Sequence, residues 1–509
     1  MTSMLIDVLT MPEGTLRPHN ARTSKPAPGS APGSSAAPSR QIRGSYDAAQ
    51  TTAENAEHWR WADSLSAQAA LRPEVRKIIR ERCRYEVGSN TYAKGIAQTL
   101  TNYIVGTGPT LQVLTENRQY NRAVEAQFRR WSRAIKWTTK LWTMGFAWVV
   151  DGESFARETN NPNIRDAVKL NLTPIECDQI DTPIQRLDVQ PTDGIVYDDW
   201  GDPMAYHVLK VHPGALYAGA LPNDYDTVPA EQMRHLFRVE RPGQRRGVSL
   251  FTPGLPLFAQ LRRYTLAVLA AAETAADIAG LLTTTWIPDQ PAAHDPLESF
   301  PVRRREMLTL PEGYDFRQVK AEQPTTTYDM FKKNIISEMA RGFEMPKGIA
   351  GADFSGYNFA SGKLDIIGFM RHVNICQDLF EESICDIDFA RWYAEARLIP
   401  GYLPPSPGRD VVPPVAWTWD GMGLLDPREA GRQETQLKSL TTTLAKEYGR
   451  EGEDWEEQLQ QRAKELGMTF EELQKAMRDQ LFALPDPESA AAPGRGAPED
   501  KEEDDSEDQ

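Results

Sequence analysis

Residues 73–105 read PEVRKIIRERCRYEVGSNTYAKGIAQTLTNYIV. Pro73 suits a first helical turn, where its missing N–H is one of the groups the helix start leaves unpaired anyway. Ser89 can cap a second helix, on which Tyr92, Ile96, Leu100 and Tyr103 recur at helical spacing. Gly106 and Gly108 then stop the helix, and Thr110-Leu-Gln-Val begins a strand. A helical pair that gives way directly to a strand predicts a mixed α+β fold, and the flanking sequence extends that pattern.

Residues 122–150 read as helix and end in a Trp-rich apolar stretch. From Lys169 to Val239 short apolar runs are broken by Pro174, Pro183, Gly194, Gly201 and Pro213, which predicts a β-rich segment. Residues 253–282 return to helix, and the Ala-dense piece LAVLAAAETAADIAGLL lets helices approach closely. A Pro-punctuated segment, Trp286 to Pro324, precedes a helix from Tyr328 to Phe343 with Phe331, Ile335, Met339 and Phe343 on one face and Lys332-Lys333 opposing Phe331. Residues 346–360 are a Gly-rich loop, and 361–395 a long helix or helix pair. Asp426-Pro-Arg-Glu429, Asp454-Trp-Glu-Glu457 and Thr469-Phe-Glu-Glu472 are helix starts, while Gly449 and Gly467 are stops. They predict three helices, roughly 427–448, 455–466 and 470–482.

The 509-residue chain is too long for one simple core. Its net charge of −15 argues against a broad surface that grips nucleic acid by its phosphates. Residues 12–44, rich in Pro, Ala, Gly and Ser, cannot bury enough apolar surface to offset their ordering entropy. The run EDKEEDDSED near the C-terminus, eight acids and one Lys, reads as a solvated tail. Four sparse cysteines, Cys83, Cys177, Cys376 and Cys385, make no CxxC pair and suit a reducing cytosol. No basic region precedes the mildly apolar first ten residues, so a signal peptide is not expected. Glu273 and Asp277 interrupt the apolar run Leu266–Leu282, which favours a buried helix over a membrane span.

Signatures of chemistry are sparse. GxxxxGK[ST], HExxH and GxSxG are absent, and Gly106-Thr-Gly108 lacks the third glycine of a dinucleotide loop. His372 and Cys376 stand four apart on a helix and could share a metal with Cys385, but buried thiols packing a helix face explain them more simply. The acidic pairs Asp198-Asp199 and Glu381-Glu382 could hold a divalent ion, although no third acid joins them in a plausible geometry. Arg303-Arg304-Arg305 could meet phosphate or an acidic partner, or form a solvated edge. Trp59, Trp61, Trp131, Trp137, Trp142 and Trp148 suit core or interface anchors better than base-stacking platforms.

Several strings, in order, resemble the lambda-type family of phage portal proteins over residues of about 45 to 475. They are Arg84-Tyr-Glu-Val-Gly-Ser-Asn-Thr-Tyr-Ala-Lys-Gly with Val105-Gly-Thr-Gly108; Asp151-Gly-Glu153; Gly194 to Pro203 with Ala205-Tyr-His207; and Arg241-Pro-Gly-Gln-Arg-Arg-Gly247. Gly356-Tyr-Asn-Phe-Ala-Ser361, Trp417-Thr-Trp-Asp-Gly, Asp426-Pro and Asp454-Trp-Glu complete the series. Gly362-Lys363 and Phe343-Glu-Met-Pro346 depart from the family's usual pattern.

The resemblance implies a dodecameric ring of α+β subunits at one capsid vertex, through which double-stranded DNA is packaged and ejected. Each subunit would carry a mixed wing domain, a helical stem, a small α/β clip and a helical crown. Mapped onto the helix pattern, 1–44 is a disordered arm, 45–255 the N-terminal part of the wing, 256–282 a stem helix and 283–325 the clip. A second stem helix spans 326–345 and the tunnel loop 346–360. The C-terminal wing with its long helix spans 361–425, the crown 426–484 and a disordered acidic tail 485–509. Lys347, Asp353, Tyr357, Asn358 and Lys363 would face the channel, and Arg303, Arg304 and Arg305 would dock the terminase. Implied partners are the large terminase subunit, a major capsid or scaffolding protein and a head–tail adaptor. The resemblance implies no catalytic residue, metal, cofactor or membrane, and a place in the virion after assembly in the host bacterial cytoplasm. A minor capsid or connector protein and a metal-dependent DNA-processing enzyme are the competing readings.

Overall fold

Capping and breaking residues decide where each element begins. The computed structural model describes residues 56–182, 193–215, 224–277, 281–284, 314–317, 326–406, 411–421 and 427–482. The expected disordered ends, 1–44 and 485–509, and most of the clip expected over 283–325 lie outside these residues. The chain divides into two compact units, Met1–Ser64 and Leu65–Gln509. In the first, the described residues 56–64 include a turn in which the Arg60 guanidinium lies 5.4 Å over the Trp61 ring.

The second unit opens with α1 (Ala67–Ala70), α2 (Pro73–Ser89) and α3 (Thr91–Val105). The cap between α2 and α3 is Asn90 rather than Ser89. Its Oδ1 accepts from the Tyr92 and Ala93 amides at 3.0 and 3.4 Å, and its Nδ2 donates to the Phe258 carbonyl at 3.1 Å. The strand β1 (Thr110–Val113) follows, then α4 (Arg118–Ala134) and α5 (Trp137–Asp151). The single helix expected over 122–150 is two, divided at Lys136, whose φ is +56°. Next come β2 (Glu153–Asn160), β3 (Leu170–Ile175), β4 (Ile195–Tyr197), β5 (Pro203–Leu209), β6 (Tyr225–Pro229) and β7 (Met233–Phe237). They form two antiparallel sheets, β3-β2-β7 and β4-β5-β6; β3 to β7 lie in the segment read as β-rich, and β2 precedes it.

The helix α6 spans Leu255–Asp277, and β8 (Leu281–Thr284) pairs antiparallel with β9 (Tyr314–Arg317). The stem helix expected over 256–282 is therefore too long at its C-terminal end. Leu281-Leu282-Thr283-Thr284 runs into β-branched residues, and a partner strand supplies the pairing that helix cannot. Then follow α7 (Thr326–Gly342), the short α8 (Lys347–Gly351), α9 (Phe359–Phe380) and α10 (Asp386–Leu398). A π-helical turn, Glu381–Cys385, joins α9 to α10. The strand β10 (Val415–Thr418) returns to pair with β1.

The C-terminal helices are α11 (Pro427–Lys438), α12 (Leu444–Arg450), α13 (Trp455–Leu466) and α14 (Phe470–Phe482). The helix expected over 427–448 is broken. The Ser439 and Thr441 hydroxyls take the Gln436 carbonyl, Leu440 adopts φ +58°, and Thr443 caps the next helix. The Asp454 cap, the Thr469–Glu472 capping box and the Gly467 stop stand where the sequence placed them. This bundle docks on α4 through Arg118 and Arg122 on Glu456 and Arg129 on Glu457, with Arg118 and Arg122 also over the Phe470 ring.

Phe128 lies at the centre of the main core. Its ring centroid lies 5.2–5.8 Å from those of Trp131, Trp137, Phe389, Trp392 and Trp417. Beside this core lies a buried charge network. Glu153, wholly excluded from solvent, accepts from Arg246 Nε at 2.8 Å and Arg246 Nη2 at 2.7 Å, and from the Gly247 amide at 3.0 Å. Arg80 bridges Glu153 and Asp178, and Arg84 bridges Asp151 and Asp178. Arg246 Nη1 donates to the Asp193 carbonyl at 2.7 Å, and Arg76 pairs with the Asp193 carboxylate. Gly152 has φ +91°, and a Cβ there would lie 2.2 Å from the Val248 carbonyl carbon; a Cβ on Gly247 would lie 2.0 Å from the Gly152 oxygen. Only two glycines facing each other allow this approach.

Burial alone would raise the Glu153 carboxyl, but the Arg246 charge and the hydrogen bonds from His235 and Arg246 hold it well below the usual range. Burial lowers the His235 imidazole despite the contact of its Nε2 with Glu153 at 3.3 Å. Its stacking between Phe155 and Phe237 suits a neutral ring. An unfolded chain takes a proton on His235 near pH 6.5 that the fold refuses, and one on Glu153 near pH 4.3 likewise. Both groups therefore contribute stability that is lost as pH falls. His235→Gln should flatten the fall in melting temperature between pH 7.5 and 5.5. Glu153→Ala, which leaves Arg246 buried and uncompensated, should cost about 3–5 kcal/mol in urea unfolding at pH 7.5.

Candidate functional site

The segment joining α7 to α9 is built by a succession of local constraints. After α7, Phe343 and Met345 are buried while Glu344 adopts φ +52°. Phe343 packs against Phe251 and Phe258 at centroid distances of 4.7 and 6.3 Å, which anchors the turn to the body. Pro346 then starts α8, which ends at Ala352 in the left-handed region with φ +50°. The tunnel loop expected over 346–360 is thus not loop throughout: it contains α8 and the first two residues of α9. Pro346 pre-sets the first helical turn, and Asn358 caps the second helix.

Asp353 accepts from the Ser355 amide at 2.9 Å and lies 3.1 Å from Lys333 Nζ, which also meets Asp329 at 3.0 Å. The Ser355 hydrogen bonds, then Lys333, hold the Asp353 carboxyl down at about 2. The Tyr357 hydroxyl accepts from the Gly348 amide at 3.2 Å and donates to Asp365 at 2.7 Å. Burial and then the Asp365 carboxylate push this phenol up. Asn358 and Ser361 form a reciprocal capping box, Asn358 Oδ1 accepting from the Ser361 amide at 2.8 Å and Ser361 Oγ from the Asn358 amide at 3.1 Å.

Lys347, Asp353 and Tyr357 line one cavity of 480 Å³, and Lys332 and Lys333 of α7 join them there. Asn358 instead organises the start of α9, and Lys363, half-buried on its second turn, is not among the cavity's lining residues. Arg303, Arg304 and Arg305 lie outside the described residues. Sequence reasoning noted Lys332-Lys333 but did not connect the pair to the loop. The i,i+4 spacing of Asp329 and Lys333 was the signal available.

The other sequence candidates resolve into structural contacts. Cys376 Sγ lies 3.7 Å from His372 Nε2, and His372 Nδ1 lies 3.5 Å from Glu344; among the described residues Cys385 does not join them as a ligand. Asp198 Oδ1 accepts from the Trp200 and Asp202 amides and so shapes a hairpin turn. Glu381 accepts the Trp419 indole N–H at 2.6 Å. Glu176, Asp178 and His212 bring three possible ligand atoms within 4.8 Å of one another, but Asp178 is already taken by Arg80 and Arg84.

The strings that meet in the buried network, Arg84, Asp151-Gly-Glu153 and Arg246-Gly247, lie within a longer match. Residues 52–377 match the phage portal protein, lambda family. This chain belongs to that family. The family match also contains the α8 segment and the capping box of α9, while Trp417 and Asp454 lie beyond it. A relative of this portal protein, the probable portal protein of Halomonas phage phiHAP-1, is 23% identical over 413 residues, covering 74% of this chain and 78% of its own. Among solved structures, a chain in the virion of a native gene transfer agent particle is 12% identical with a TM-score of 0.40, covering 71% of the portal chain and 88% of its own. A chain in the neck of the same kind of particle, computed with C12 symmetry, is 11% identical with a TM-score of 0.40, covering 73% and 90%. No described helix of the portal protein is long and apolar enough to cross a membrane.

Asn358→Ala should cost about 1 kcal/mol of stability. It should also raise amide hydrogen exchange at residues 359–362, whereas Asn358→Asp, which keeps the capping oxygen, should restore protection.

Proposed function

We propose that this portal subunit closes with its own copies into a ring, a dodecamer by family resemblance, at one capsid vertex, and that double-stranded DNA enters and leaves through it. The observation that carries the reading is the apolar surface the lone chain leaves open on its long helices. Leu266 and Leu269 of α6 are 60% and 55% exposed, amid exposed Ala267, Ala270 and Ala271. Met330 and Phe331 of α7 and Leu364, Ile367 and Ile375 of α9 are exposed as well. Such area on a single chain favours protein contact. Small residues let a neighbouring helix approach closely, and a closed ring needs two complementary faces on each copy.

On this reading the wing is 45–255 with 361–425, the stem is α6 and α7, the clip lies between them, and α11–α14 form the crown. Lys347, Asp353, Tyr357, Asn358 and Lys363 belong to the segment that meets DNA, in a bore otherwise acidic or neutral. Strong phosphate binding would hinder sliding, because each neutralised phosphate adds affinity. The chain lacks the phosphate-cradling motif of an ATPase, so a terminase supplies the work, and Arg303, Arg304 and Arg305 of the clip are its docking face. A capsid or scaffolding protein and a head–tail adaptor complete the set of partners, and the protein acts in the virion as a conduit without reaction chemistry.

Negative-stain images of purified protein should show rings with a central hole. Leu266→Asp combined with Leu269→Asp should abolish them while leaving the helical circular dichroism of the single chain unchanged; rings from the double variant would contradict the stem assignment. Arg303→Glu with Arg304→Glu and Arg305→Glu should reduce capture of the large terminase subunit at least tenfold without affecting ring formation, and undiminished capture would remove the clip from that role.

A further inference from the structure

The cavity between α7 and the 352–358 loop holds more positive charge than its acids satisfy. Both lining carboxylates, Asp329 and Asp353, engage the same ammonium, Lys333. Lys332 Nζ instead lies 5.2 Å from the Tyr92 ring centroid and 5.8 Å from that of Tyr328. Lys347 Nζ lies 6.0 Å from the Tyr357 ring. These two cations meet aromatic faces, and among the described residues neither forms an ion pair. Ser337 adds a hydroxyl to the same 480 Å³ space, while the Tyr357 hydroxyl is committed to Asp365. Ammonium groups with a hydroxyl donor around an open cavity are the chemistry that recognises a phosphate oxyanion.

We propose that this cavity is a phosphate site with a built-in competitor: Asp353 ties the loop to α7 through Lys333, and an arriving phosphate displaces it and releases the loop. The Lys333–Asp353 pair is suited to exchange. Its side chains are 50% and 39% exposed, so water and salt screen it. Lys332, Lys333 and Lys347 all line the cavity, so an anion there meets three cations where Asp353 reaches one. The released segment is short and sharply bounded. Ala352 is held at φ +50°, a backbone region that a residue with a side chain rarely adopts. Tyr357, hydrogen-bonded to Gly348 and Asp365, and the Asn358 capping box fix the far end by contacts independent of Lys333. The Asp353 amide also donates to the Gly348 carbonyl at 3.0 Å, so only residues 354–356 are set free. The phosphate belongs to a DNA backbone or is free in solution, and the first source rests on the conduit reading above.

Hydrogen exchange of full-length protein, as single chains and as rings, provides the test, with chloride at matched ionic strength as control. Pyrophosphate should raise exchange at residues 354–356 several-fold. Asp353→Asn should show the raised exchange without any ligand, and Lys332→Gln with Lys347→Gln should lose the pyrophosphate response. A short DNA duplex that reproduces the effect in rings assigns the source to the DNA backbone; a response to pyrophosphate alone assigns it to free phosphate. Equal exchange in pyrophosphate and chloride, or unchanged exchange in Asp353→Asn, overturns the proposal. So does a response in single chains that vanishes in rings for both ligands, because a neighbouring copy then fills the cavity. Failure to form rings with the pyrophosphate response intact counts against the conduit reading and leaves the phosphate site standing.

Discussion

Glu153 carries a negative charge in a place water does not reach, and the packing of the segments around it depends on how that charge is answered. Desolvating a carboxylate is costly, and attraction offsets the cost only when geometry is good and every lone pair is used. Here the guanidinium of Arg246 approaches from one side, the Gly247 amide completes the arrangement, and Arg80 and His235 close it off. These groups come from α2, β2, β7 and the 241–247 turn, so one contact fixes the mutual position of four segments. The two facing glycines, Gly152 and Gly247, are the steric condition for it.

That contact reaches the loop between α7 and α9 through packing. The chain leaves Gly247 for Ser249, whose hydroxyl accepts from the Phe251 amide at 3.2 Å. Phe251 packs on Phe258 at the start of α6 and on Phe343 just past the end of α7. Both long helices are thereby rooted in the same aromatic cluster, and Lys347 follows Phe343 by four residues. The rigid base and the exposed, ion-paired loop are thus parts of one construction. Dense apolar packing holds the lower end, while screened contacts hold the tip.

Much of this was legible in advance, for local reasons. Asp454, Thr469 and Gly467 act over three or four residues, and they bound their helices as read. The broken apolar runs from Lys169 to Val239, read as β-rich, supply five of the six strands of two antiparallel sheets. The errors arose where a local preference met a distant partner. Asn90 displaced Ser89 as cap while its amide also reached Phe258. Leu281 and Leu282 left the helix because a strand more than thirty residues away offered pairing. The break at 439–443 is local instead: hydroxyls there take the Gln436 carbonyl and interrupt a helix read from its Asp426 start to the Gly449 stop. Lys333 was visible as half of a basic pair, but its tie to Asp353 joins residues twenty apart.

The amino-acid sequence by itself determined the family, the mixed helical and sheet character and most helix ends, because short motifs and periodic apolar residues act through neighbours along the chain. Tertiary structure alone decided that Arg80, Glu153 and Arg246 answer one another in a single buried network. It also decided that Lys332, Lys333 and Lys347 share a cavity. The physical reason is that charge pairing depends on distance in space, which folding sets and sequence spacing does not record.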